Sequence, residues 1–108
     1  MDSNIRIIER MILLLEKGWC RESFAKDNSG KEVRHNSPNA TSFCVWGALN
    51  RAQFDLNLPY NKVIFSYLSD KIGNLISYND NARDKRTIIR KLKKIVKEAK
   101  EEQNALVQ

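Results

Sequence analysis

Apolar residues recur three and four apart over two long stretches, and that spacing predicts a helix at each end of the chain. In the first, 1–17, Ile5, Ile8, Ile12 and Leu15 form a stripe that Met11 and Leu14 widen. Arg6, Glu9, Arg10 and Glu16 fall mostly on the opposite side. Ser3 suits the N-cap, because its hydroxyl accepts a bond from a free backbone N–H. Gly18 is expected to close the helix in the left-handed conformation and fold Trp19 back onto it. In the last helix, 84–103, the buried stripe is Ile88, Ile89, Leu92, Ile95, Val96 and Ala99, with Asp84 or Thr87 as cap. Glu98, Glu101 and Glu102 lie at the end where the helix dipole favours cations, so fraying is expected beyond Lys100.

Between these ends the pattern changes three times. From 18–36 the helical period is lost. Asp27-Asn28-Ser29-Gly30 reads as a turn between Glu22–Lys26 and Lys31–Arg34, a small hairpin with Phe24 and Val33 on its inner face. Ser37-Pro38 then starts a second helix, 37–53, as cap and first helical position. One side of it, Cys44, Gly47, Ala48 and Arg51, is small until its end, so another backbone can approach closely. Pro59 opens a third helix, 59–72, with Val63, Ile64, Tyr67, Leu68 and Ile72 on its apolar side and Gly73 closing it. Segment 74–83 reads as a semi-buried loop. The expected fold is mainly α: a single compact domain of about four helices, with a small irregular or β-hairpin insert after the first.

Length and composition narrow the class. The chain has 108 residues, one domain's worth, and its 42% hydrophobic and 30% charged residues exclude bulk disorder. No apolar run approaches the ~18 residues that cross a bilayer. The start carries no signal-peptide pattern, since Asp2 and Glu9 interrupt it, and a cytoplasmic location is the expectation. Cys20 and Cys44 are then expected as free thiols rather than a disulfide. The net charge is +6, and from Arg83 to Gln108 nine Lys/Arg face four Asp/Glu, so nearly all the excess sits on the last segment.

Three chemistries compete for the distinctive residues. Cys44 is a conceivable nucleophile, with Asn79 and Asp80 to orient a base, but a reactive cysteine needs thiolate character and a nearby base. The only histidine, His35, lies in the most polar stretch, and Cys44 falls about two turns inside its expected helix. The plainer reading packs Cys44 beside Gly47 and Ala48. Cys20, His35, Cys44 and Asp80 lack the paired spacing of structural zinc sites, so neither metal nor cofactor is expected. Tyr78, Asn79 and Asp80 fit either a ligand pocket with Cys44 or simple capping of the following helix. Trp19, Cys20, Cys44, Trp46, Gly47 and Tyr78 are expected to cluster, with Asn79 and Asp80 at the rim.

In order along the chain, Gly18-Trp19-Cys20, Phe43-Cys44, Gly47-Ala48, Tyr78-Asn79-Asp80 and Arg86-Thr87 resemble the signature of a family of small bacterial and phage proteins known only as a domain of unknown function. Tyr78 stands where that family usually has Trp, and Asn81–Lys85 is longer and more charged. The resemblance implies a shared small fold and a phage or mobile-element setting, and no reaction type. The function expected is that of a non-enzymatic binding protein, an inhibitor or accessory factor. It would dock on an acidic protein or nucleic acid, not a membrane, through Arg86, Arg90, Lys91, Lys93, Lys94 and Lys97. The alternative is a small Cys- or Asp-dependent enzyme, or a small-molecule sensor, with a pocket at Cys44, Tyr78, Asn79 and Asp80.

Overall fold

The computed structural model describes residues 2–107. The elements are α1 (Asp2–Lys17), β1 (Ala25–Lys26), β2 (Ser42–Phe43), α2 (Val45–Asp55), α3 (Lys62–Ile72), α4 (Leu75–Asn81) and α5 (Lys85–Val107). The fold is a mainly helical single domain with a small antiparallel ladder after the first helix. α1 lies in the middle, packed against α2 on one side and α5 on another. Two flanks have to be covered, so its apolar stripe is wide: Ile7, Ile8, Met11 and Leu15 are at most 1% exposed. α1 and α5 run antiparallel, as the pairs Lys100–Glu9 and Lys93–Glu16 show.

The ends of the chain follow their hydrophobic period closely. Ile88, Leu92 and Ile95 of α5 face α1 and are buried, and Asp84 Oδ1 accepts from Thr87 N as the N-cap. α5 continues to Val107, past the fraying expected at Lys100. Gly73 ends α3 at φ 94°, in the left-handed range. α3 starts later than Pro59: Asn61 caps it by accepting from Val63 N, and its own N–H is held by Gln53 Oε1. Val63, expected inside, is 66% exposed, because the helix presents Ile64 and Leu68 to the core.

In the middle two expectations fail and a third holds in part. The second helix does not span 37–53; it begins at Val45, with Cys44 as N-cap. Ser37-Pro38 makes only a single turn, closed by Ala40 N to Ser37 O, and the chain then extends. Thr41 N bonds to Lys26 O, and Phe43 pairs with Ala25, so strand pairing outcompetes the helix signal there. The hairpin around Asp27–Gly30 forms its turn, with Asp27 Oδ1 accepting from Ser29 N and Lys31 N. Its second arm is one bridge, Lys26 to Glu32, while the β1 ladder runs to β2. Ala25 is the inward residue of β1, so Phe24 beside it points outward. Segment 74–83 is not a loop: Leu75–Asn81 is a short helix capped by Asn74, with Leu75 and Asn79 four apart on its buried face.

Gly18 does not take the left-handed conformation. A side chain there would overlap the Thr41 carbonyl, and the same holds at Gly47 against the Phe24 carbonyl. Both glycines let a distant stretch of backbone approach closely, at the end of α1 and within α2. The small face of α2 therefore receives the close approach its composition implied.

Candidate functional site

Of the residues expected to cluster, Trp19, Cys20 and Cys44 meet around Asn79 on a structural task, while Trp46 packs with Phe24 and Phe65 and Tyr78 lies apart. Asn79 is completely buried, not at the rim. Its Oδ1 accepts from the Trp19 indole N–H at 2.8 Å and from Val45 N at 2.9 Å. Its Nδ2 donates to Cys20 O at 3.0 Å and to Asp80 Oδ1 at 3.1 Å. One amide from α4 thus ties the exit of α1, the first N–H of α2 and its own neighbour together. Such a group is tolerated inside because its donors and its acceptor all have partners.

Cys44 completes the start of α2. Its Sγ accepts from Gly47 N at 3.3 Å, the place a serine or aspartate cap oxygen usually takes. A helix N-terminus ordinarily lowers a thiol pKa. Here burial outweighs it and pushes Cys44 up to about 11. Cys20 is raised as well, chiefly by burial, and both cysteines are free. His35 sits against Arg51: burial and that guanidinium's charge hold its imidazole below 6.5. Arg51 donates to the His35 and Ser37 carbonyls and pairs with Asp55, which also takes Arg10. Among the described residues no hydrogen bond joins His35 to either thiol, and no three His, Cys, Asp or Glu side chains converge to hold a metal ion.

The expected pocket of Cys44, Tyr78, Asn79 and Asp80 is therefore divided. Cys44 and Asp80 line a cavity of about 200 Å³ with Glu22, Ser23, Phe24, Glu32 and Ile76. Asp80 Oδ1 also accepts from Glu22 N, and Glu22 is held at φ 65°. Tyr78 instead borders a separate depression with Ser77 and Thr87, and Asn79 is sealed between them. Sequence reasoning missed Glu22, Phe24, Glu32 and Ile76. The pattern along the chain puts Phe24 on the inner face of the hairpin, Ile76 in a semi-buried loop, and the two glutamates only within the hairpin's arms.

On α5, Arg86, Arg90, Lys93, Lys94 and Lys97 are exposed and Lys91 is half-buried. Lys93 lies 3.7 Å from Glu16. Among the described residues no carboxylate pairs with the other five.

A family model covers residues 2–97. The chain belongs to the family of unknown function DUF6197. The matched span holds the whole Asn79 knot, the cavity beside it and the α5 cations through Lys97; it stops where α5 turns acidic at Glu98. Among curated proteins and among solved structures, nothing matches the chain.

Proposed function

We propose that this member of the family is a non-enzymatic binding protein that docks on an acidic macromolecule through the exposed side of α5. The observation that carries the reading is one line of cations. Arg86, Arg90, Lys93 and Lys97 succeed one another at spacings of four, three and four, which sets them along a single ridge of about 16 Å. Like charges at that spacing repel and lower helix stability, so the row works against the fold rather than for it. Among the described residues of this row only Lys93 has a carboxylate within ion-pair range, at the loose distance of 3.7 Å. A row of uncompensated cations matches an extended row of anions better than a single small ligand. Lys91 and Lys94 broaden the ridge.

The catalytic alternative rested on Cys44, Asn79 and Asp80. Those groups are occupied in holding α1, α2 and α4 together, and Cys44 carries a raised pKa. The small size and the charged rod fit an inhibitor or accessory factor, of the phage or mobile-element kind the resemblance implies. The test is titration of the chain with a random-sequence DNA duplex and with polyglutamate across a salt series. A ridge of four to six cations on a duplex predicts a log–log salt slope of about −4 to −5. Polyglutamate binding without duplex binding assigns the partner as an acidic protein. The triple substitution Lys93→Glu, Lys94→Glu, Lys97→Glu should abolish either interaction. Unchanged affinity in that variant, or no binding to either probe, refutes the reading.

A further inference from the structure

We propose that the surface between β1, α2, α3 and α4 is a second docking groove, shaped for a segment of a partner protein that carries a lysine or arginine beside bulky apolar residues. The apolar half is a row of aromatic rings. Trp46 stands edge-on to Phe24 at 6.2 Å and to Phe65 at 5.4 Å. Phe24 is 46% exposed, and Ile76 faces the row from α4 at 47% exposed. Trp46, Phe65, Leu75 and Ile76 border an open depression of about 500 Å³. Ile76 is also a wall of the 200 Å³ cavity, so the two adjoin at its side chain. Apolar surface of this kind, gathered in one place and rimmed by polar groups, marks contact with another molecule.

The far end of the groove fixes the sign of the occupant. Glu22, Glu32 and Asp80 line it, and among the described residues none of the three is in an ion pair. Asp80 is anchored by the Glu22 and Asn79 N–H groups. Burial is the main cause that raises both nearby thiols, and the charge of Asp80 adds to it at each. Three carboxylates beside aromatic rings repel phosphates, so a nucleic acid stacking on Trp46 is disfavoured. They do not converge as metal ligands. An ammonium or guanidinium on a long stem meets them without such convergence, while its apolar neighbours lie over Trp46 and Ile76. A second copy of this chain offers exposed Lys62 between Tyr60 and Val63, so self-association abolished by Ile76→Asp would overturn the proposal, but its α5 does not supply the match. The cations of α5 are backed by residues turned into the core, and its exposed Leu106 follows Glu101 and Glu102.

The test selects a random peptide library on the full chain and measures the enriched peptide's affinity against four variants. The expected motif joins Lys or Arg to one or two bulky apolar residues. Ile76→Asp and Phe24→Ser, both at exposed positions, should each weaken binding tenfold or more while circular dichroism shows the chain still folded. Glu22→Gln combined with Glu32→Gln should weaken it several-fold and erase the preference for a basic residue. Reversal of Lys93, Lys94 and Lys97 to Glu should leave it intact, so failure here and failure of the α5 reading are separable. The proposal is overturned by the absence of any motif, by a motif without a basic residue, or by a peptide whose binding survives both Ile76→Asp and Phe24→Ser.

Discussion

Asn79 concentrates more of the fold's specificity than any other single side chain. Replacing it with alanine removes the protein partner of the Trp19 indole N–H, the Val45 N–H and the Cys20 carbonyl. Each orphaned group costs roughly 1–3 kcal/mol, so Asn79→Ala should lose about 3–5 kcal/mol in chemical denaturation. Asn79→Asp keeps the acceptor but loses both donors and sets a carboxylate beside Asp80. It should be at least as damaging at neutral pH. The introduced acid is buried, so its folded pKa is raised, and the variant's deficit should shrink as pH falls toward that value. Cys44 makes a complementary prediction. With its thiol at about 11, little thiolate exists at pH 7.5, and iodoacetamide should modify it roughly 100-fold or more slowly than an exposed cysteine. Mass spectrometry after timed alkylation checks this; fast labelling of the folded chain would revive the nucleophile reading.

At the scale of elements, the start of α2 is where local signal and tertiary demand part company. Ser37-Pro38 is a sound helix start by every local rule, yet Thr41–Phe43 are taken by pairing with β1. The helix must then begin at Val45, with Cys44 as its cap under the Phe24 carbonyl, and Gly47 is what permits that approach. Gly47→Ala gains helix propensity but forces the strand off the helix. A net loss of about 2–4 kcal/mol is expected by thermal or urea denaturation, where propensity alone predicts a gain. The contrast explains what was legible in the chain. α1, α3 and α5 announce themselves because each presents a 3.6-residue apolar stripe to one neighbour or two. α4 does not, having seven residues and two buried positions, one of them an asparagine. The meeting of Trp19, Cys20 and Cys44 is expected, as part of a larger cluster, because each sits at the edge of an element. The burial of Asn79 is not, because its partners Trp19 and Val45 lie 60 and 34 residues away and no local pattern encodes them.

At the scale of the whole molecule, α1 separates two surfaces of opposite sign. α5 carries its cations on one flank, and the aromatic groove with its carboxylates lies across α2 on the other. A protein selected for stability alone would not place its excess charge on one helix, since the row repels itself. Lys97 makes the cost measurable. Its neighbours three and four positions away are Lys93, Lys94, Lys100 and Glu101, three like charges against one opposite. Lys97→Glu turns those three repulsions into attractions and the one attraction into a repulsion. At a few tenths of a kcal/mol per pair, the variant should be more stable by about 1 kcal/mol at low salt. The gain should fade above roughly 0.3 M NaCl as screening shortens the reach of exposed charges. Thermal melts of both proteins at low and high salt check the sign and the salt dependence together. A stabilised variant that has also lost affinity for the polyanion would mean that the ridge is kept for contact and not for folding. A variant destabilised at low salt would mean instead that Lys97 serves the α1–α5 seam, and the argument for a dedicated surface on α5 would lose its physical basis.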